Sequence, residues 1–142
     1  MLQQILLDRP LSWQQVGEIA QGASLALSDG AQARIRAARA LVESIVRKGV
    51  RAYGVNTGVG ALCDVVIPES KQAQLSRNIV MSHAVGVGPA LDSSAVRAII
   101  AAAVNNYAHG FSGVRPEVVE GLLALLEHDC LPQVPALGSV GY

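Results

Sequence analysis

The sequence predicts a mainly α fold, and three observations predict it. Apolar residues recur at three- and four-residue steps over 31–48, the spacing of one helix face. Residues 95–109 are almost all small and apolar, as in a helix buried on every side. Residues that start helices stand just ahead of each such run, at Ser12, Ser28-Asp29, Pro68, Asp92 and Pro116, where capping and a preset φ favour the first turn.

In chain order, Ile5-Leu6-Leu7-Asp8 is a short apolar piece ending at Pro10 and predicts a brief edge strand. Ser12 caps a helix from Trp13 to Gln21, with Val16, Ile19 and Ala20 as its stripe and Gly22 as its stop. Ser28-Asp29 caps the next helix, Ala31 to Lys48. Its core face is Ile35, Ala38, Leu41, Val42, Ile45 and Val46, and its other side is a solvated basic face. Val50-Arg-Ala-Tyr53 is a strand-like lead-in to the glycine-rich loop Gly54–Gly60, and 61–68 shows no period. Pro68-Glu69-Ser70 opens a helix to about His83, with Leu75, Ile79 and Val80 facing inward. Asp92-Ser93-Ser94 caps Ala95 to about His109, and Gly110-Phe-Ser-Gly113 breaks the chain. Arg115-Pro116-Glu117 starts a last helix, with Val118, Val119, Leu122, Leu123, Leu125 and Leu126 as its core face. Residues 131–142 are irregular and rich in Pro and Gly.

Composition narrows the function classes. Among 142 residues, 51% are hydrophobic and 15% charged, with a mean hydropathy of +0.35. So greasy a chain buries surface against more chain, another subunit or a membrane. The longest apolar run, Ala98–Val104, is far short of the ~18 residues of a spanning helix, which argues against a membrane. The N-terminus shows no basic region followed by an apolar segment, so no signal peptide is expected. Net charge is zero and the basic residues are scattered, which argues against nucleic acid. Cys63 and Cys130 stand far apart with no metal-ligand spacing; they read as thiols of a reducing cytoplasm rather than a disulfide, and no metal is expected.

Two places carry chemistry. Tyr53 stands at the mouth of a loop containing Gly54, Asn56, Gly58 and Gly60. A phenol there is either a proton acceptor beside a close-approaching backbone or a packed ring in a tight turn. Ser82-His83 ends a helix and is followed by Gly86-Val-Gly-Pro89. That histidine either reaches a cleft or is a satisfied structural residue. Asn105 and Asn106 read as structural polar groups at a helix end.

Four motifs stand in one order along the chain: Tyr53-Gly-Val-Asn-Thr-Gly58, Ser82-His-Ala-Val-Gly86, Gly110-Phe-Ser-Gly-Val-Arg115 and Pro132-Gln-Val-Pro-Ala-Leu-Gly-Ser-Val-Gly141. On these the chain resembles the N-terminal portion of the aromatic amino acid ammonia-lyase and aminomutase family, and within it the histidine-specific branch. The resemblance implies the N-terminal part of a large helical-bundle fold, with a few short strands near the Tyr53 loop, in a homotetramer. It implies an active-site-contributing domain over 1–110 and, over 111–142, the start of the central helical domain. The implied reaction is elimination of ammonia from an α-amino acid, L-histidine to urocanate. The implied cofactor is a protein-derived methylidene-imidazolone, made from an Ala-Ser-Gly tripeptide that follows Gly-Ser-Val-Gly in the family.

Residue by residue, the resemblance implies that Tyr53 is the base that takes the β-proton. A phenol ordinarily ionises near pH ~10, so a tyrosine base needs nearby donors. Ser82 and His83 match the substrate-side pair that goes with imidazole substrates, with His83 meeting the substrate or aiding ammonia release. Gly60 matches a loop position against the substrate, and Val59 stands where many relatives carry Phe. Gly141 and Tyr142 adjoin the electrophile.

The pattern departs from the family at Tyr142, where the tripeptide's first residue is Ala or another small residue. In the family the ring closes when the third residue's amide nitrogen attacks the first residue's carbonyl, and the central Ser loses water. The first side chain stays outside the ring, so Tyr is chemically permissible there. The expectation is that the sequence is one piece of a longer chain, that activity requires the remaining C-terminal polypeptide, and that the piece does not fold alone. Two alternatives stay open: a family member lacking the electrophile that serves as a binding partner, and an aminomutase or lyase for another aromatic amino acid.

Overall fold

The computed structural model describes residues 4–138. Five helices and four short strands follow in the order β1 (Gln4–Leu7), α1 (Trp13–Ala20), β2 (Ser24–Leu27), α2 (Asp29–Arg47), α3 (Glu69–His83), β3 (Val87–Ala90), α4 (Ser93–Ala108), α5 (Pro116–Glu127) and β4 (Pro135–Leu137). The expected mainly α fold with a few short strands is what the described chain adopts.

The N-terminal strand has a partner that the sequence does not announce. β1 pairs in parallel with β2 over the register Gln4↔Ser24 to Leu7↔Leu27, and α1 makes the crossover that a parallel pair requires. Ile5 and Leu7 point into the core while Gln4 and Leu6 face out, the alternation of a half-buried strand. α1 begins at a complete capping box: Ser12 Oγ accepts from Gln15 N at 3.3 Å, and Gln15 Oε1 accepts from Ser12 N at 2.9 Å.

The core gathers Ile5, Leu7, Ile19, Leu25, Ile35, Val96, Ile100, Val104, Val119 and Leu126, with alanines 23, 31, 101 and 108 between them. α4 lies at its centre and packs against α1, α2 and α5. Its buried positions Val96, Ile100, Ala101, Val104 and Ala108 form one face, and its small side chains let neighbouring helices approach. The expectation that α4 is buried all round is corrected: Ile99 is 48% exposed, because the neighbours cover one side only.

One buried charge ties these elements together. Arg97 is 6% exposed. Its guanidinium donates to Ile19 O at 2.8 Å, Ala23 O at 3.3 Å, Leu126 O at 3.2 Å and the Asp129 carboxylate at 3.0 Å. It thus satisfies carbonyls at the C-terminal ends of both α1 and α5, where a cation also complements the helix dipole.

α2 is capped by Ser28, whose Oγ accepts from Ala31 N at 3.0 Å. Its first half is buried at Ala31 and Ile35, whereas Leu41 is exposed. The loop after α4 lies close on α2. A Cβ at Gly113 would sit 2.3 Å from Val42 Cγ2, and Gly113 has φ +63, so only glycine fits.

α3 departs most from expectation. It spans the predicted residues, but none is buried; Leu75 and Ile79 are half-covered and Val80 is 69% exposed. Among the described residues no element packs along its apolar face closely enough to bury it. The strand-like lead-in at Val50–Tyr53 is a second correction, since Val50–Ala52 is irregular and a turn begins at Tyr53. The Asn56 side chain takes the backbone groups a neighbouring strand would use: its Oδ1 accepts from Ala52 N and its Nδ2 donates to Val50 O, both at 2.8 Å. The short strands therefore lie elsewhere, and the Tyr53 loop has only the single bridge Thr57↔Val66.

Candidate functional site

The loop that carries Tyr53 is built from the inside out. Asn56 is 3% exposed and Thr57 0%, so both must be hydrogen-bonded. Asn56 closes the turn as described. Thr57 Oγ1 accepts from Gly54 N at 3.2 Å and donates to Gly58 O at 2.8 Å. Gly54 has φ +69 and Gly60 φ +58, a backbone that β-carbons oppose. At Gly58 a Cβ would lie 2.5 Å from Leu62 O. The motif Tyr-Gly-x-Asn-Thr-Gly is therefore a self-satisfied turn whose polar side chains face inward and whose phenol faces outward.

Tyr53 is 68% exposed, which removes the reading of a packed ring. Its hydroxyl oxygen accepts from Gly60 N at 3.2 Å, so two residues singled out in the sequence meet here. An N–H aimed at that oxygen leaves the phenol's own proton free and faces any negative charge that develops there. At the base of the loop, the Arg51 guanidinium donates to Cys63 O at 3.1 Å and pairs with the Asp64 carboxylate.

Ser82 and His83 form the second group. Ser82 Oγ donates to Ile79 O at 2.9 Å, and His83 Nδ1 lies 2.9 Å from the same carbonyl and 3.0 Å from Ser82 Oγ. In the tautomer that satisfies that carbonyl, Nδ1 donates and Nε2 is the ring atom left for another partner. Both residues are exposed. Among the described residues no hydrogen bond joins this pair to the Tyr53 loop. Two cavities, of about 440 and about 310 Å³, are lined by neither Tyr53, Ser82 nor His83. The groups thus stand on open surface.

The strands β3 and β4 add what the sequence did not reveal. They pair antiparallel, Val87 with Leu137 and Ala90 with Pro135, with an irregularity between. Leu91 N continues the contact to Val134 O at 2.8 Å. The segment leading to Gly-Ser-Val-Gly is thereby set beside the chain that leaves Ser82-His83. Gly138 has φ +87, and a Cβ there would lie 2.5 Å from Val85 O. Gly141 and Tyr142 lie outside the described residues.

Sequence reasoning passed over Asn56 and Thr57 as chemistry-neutral turn formers, and Arg97 altogether. A buried Asn-Thr pair has a signal, since both side chains compete for local backbone groups. Arg97 within an apolar run has none. Asn105 is structural as expected: its Oδ1 accepts from Leu11 N at 2.9 Å. Cys63 and Cys130 are both free. Among the described residues no group of three or more His, Cys, Asp or Glu is placed to hold a metal, and no helix is long and apolar enough to cross a membrane.

Known proteins are similar to this chain in sequence and in fold. The histidine ammonia-lyase of Deinococcus radiodurans is 44% identical over 138 residues, which cover 96% of this chain and 26% of that protein. Ergothionase from Treponema denticola, solved with desmethyl-ergothioneine sulfonic acid, matches with a TM-score of 0.92 at 29% identity, over 96% of this chain and 28% of that one. Tyrosine aminomutase from Streptomyces globisporus matches with a TM-score of 0.89 at 33% identity, over 95% of this chain and 26% of that one. The chain spans about a quarter of the length of the curated relatives it matches. A family profile described as "Aromatic amino acid lyase" matches residues 11–142, and with nearly every residue inside that match the chain belongs to the aromatic amino acid lyase family.

Proposed function

We propose that the protein carrying this chain is an ammonia-lyase that converts L-histidine to urocanate, with Tyr53 as base and Ser82-His83 on the substrate side. The observation that carries the reading is the outward pair of acceptors. Tyr53 Oη is backed by the Gly60 N–H, and His83 Nε2 is freed because Nδ1 is engaged by Ile79 O. The 44% identity to a histidine ammonia-lyase supports the choice of substrate.

The protein-derived methylidene-imidazolone, expected after Gly141, supplies the electrophile that makes the substrate amine a leaving group. What supports its place is that β4 brings the chain, as far as Gly138, backbone to backbone against Val85. Tyr53 Oη, acting as phenolate, accepts the β-proton; the Cβ–H electrons form the Cα–Cβ double bond as the Cα–N bond breaks and its electrons leave with the nitrogen. The Gly60 N–H meets the charge on the phenol oxygen. His83 Nε2 accepts from the substrate's imidazole N–H and orients the ring, and Gly60 keeps the loop free of a side chain where substrate passes.

The exposed apolar side chains Val80, Met81, Val85 and Val87 around the site fit walls supplied by the remaining C-terminal polypeptide and by other copies in a homotetramer. In this reading 1–110 contributes active-site residues, 111–142 begins the central helical domain, and the enzyme works in the cytoplasm without a metal.

The test is the purified protein, expressed from its own gene, given L-histidine while urocanate absorbance is followed. Urocanate formation is expected. An unsaturated product from L-tyrosine or L-phenylalanine alone, or a β-amino acid, would move the reading to another branch of the family; no product from any of them would overturn it.

A further inference from the structure

The contact between 85–88 and 135–138 is closer than strand pairing requires, and glycine alone permits it. At Gly138 a Cβ would stand 2.5 Å from Val85 O and 3.3 Å from Val85 C. At Gly86 it would stand 2.9 Å from Pro135 Cγ and 3.1 Å from Pro135 Cβ. At Gly88, φ is +87 and a Cβ would stand 3.1 Å from Leu137 Cδ1. The two segments interlock, each glycine receiving an atom of the opposite segment. The contact at Gly138 is backbone on backbone, so neither side can yield by changing a rotamer. Gly121, in α5, has nothing within 4 Å.

We infer that Gly138 and Gly86 are positioning residues for the ring closure that makes the electrophile. They clamp the chain, four residues ahead of the expected tripeptide, onto the segment that follows Ser82-His83. The inference rests on the proposed ammonia-lyase reading. Ring closure forms a bond from the third residue's amide nitrogen to the first residue's carbonyl carbon. That carbonyl's oxygen leaves as water with the hydrogens of the two nitrogens that become part of the ring. The central Ser loses its Oγ and its α-hydrogen as a second water. Two dehydrations balance the change, with no oxidant or reductant. An amide nitrogen is a poor nucleophile, so the step depends on holding it against the carbonyl, and a displacement of ~1 Å is worth about 10²-fold in such a reaction. A clamp that fixes the entering strand removes that freedom before the reaction begins. A β-carbon at Gly138 forces the strand off Val85 and moves the entry point.

The test uses the whole protein expressed from its own gene, read by intact mass after purification, with far-UV circular dichroism and oligomeric state as folding controls. Wild type and Gly121→Ala are expected two waters lighter than the encoded chain. Gly138→Ala is expected to retain both waters in most molecules, the cyclised fraction falling about tenfold, with unchanged circular dichroism and assembly. Should Gly138→Ala not fold, Gly86→Ala decides, because its clash is with a proline ring. It is expected to cyclise less than wild type and to recover when Pro135→Ala removes Cγ and Cδ. Full water loss in a folded Gly138→Ala, or in Gly86→Ala without its rescue, overturns the inference and leaves the lyase reading intact. A wild-type protein at its encoded mass overturns the electrophile reading itself, and this inference with it.

Discussion

At Tyr53 the phenol stands out of the protein surface while the two residues that shape its loop are among the most buried. Asn56 and Thr57 satisfy the turn from within, so the ring's position is set without any contact to the ring. Removing only the hydroxyl therefore separates chemistry from structure. Tyr53→Phe is expected to lose turnover by about 10²-fold or more, the scale of a lost general base. Far-UV circular dichroism and the melting temperature should not move, and near-normal turnover would sink the assignment. Arg97 is the opposite case, a residue whose loss acts on stability. Arg97→Met removes a donor from three buried carbonyls; Ile19 O keeps Gly22 N and Leu126 O keeps Asp129 N, and a buried group left unsatisfied costs about 1–3 kcal/mol. A drop of about 3 kcal/mol in denaturation free energy is expected, with Lys restoring little because one ammonium cannot reproduce the guanidinium fork. These residues differ in legibility. Tyr53 and Ser82-His83 are singled out by motifs standing in order along the chain. Arg97 stayed unread because its acceptors come from residues distant in sequence, and local rules place an arginine on the surface.

At the scale of elements, caps and periodicity located the helices well. Ser12, Ser28 and Asp92 each accept from the backbone N–H three residues on, which is what their side chains suggested. Asp92 adds a pH signature. The backbone N–H of Ala95, then the hydroxyl of Ser94, hold its carboxyl below the ordinary value of 3.8. A group with a lowered folded value contributes stability above its unfolded value and loses it as pH falls through the folded one. Asp92→Ala should therefore destabilise α4 near neutral pH, and its thermal melts should converge with those of wild type as pH drops below 3.8. A deficit that persisted unchanged in acid would point to packing rather than the charged cap. The strands were less legible. β2 has four residues, too few for a pattern, and its partner lies twenty residues upstream. Val50–Tyr53 had the composition of a strand but not the fate, since a side-chain amide took its hydrogen bonds. On α3, periodicity marked Leu75, Ile79 and Val80 as inward, but the first two are only half-covered and Val80 is exposed, because burial depends on what lies opposite.

At the scale of the whole molecule, the unpartnered apolar surface is the main feature. Val80 and Met81 on α3, Ile99 on α4, Leu41 on α2 and Phe111, 92% exposed, all face outward. Burying such groups is worth about 25 cal/mol per Å², so their exposure in an isolated chain forgoes stabilisation and invites association. Residues 1–142 produced alone are expected to self-associate and to unfold over a broad, weakly cooperative range. A monomeric species with a single sharp transition in sedimentation and calorimetry would contradict this.

The guanidinium of Arg97 bears on how the core assembles. A charge leaves water at a cost of several kcal/mol unless its partners are already in place. Here the partners sit on the ends of two helices that are remote in sequence, α1 and α5, with α4 between them. A half-docked core, with α4 against α1 but α5 still adrift, strands a partly dehydrated cation. Partial assembly of these three helices is thereby penalised, so a single polar side chain couples their docking to one another locally, whatever the rest of the chain does.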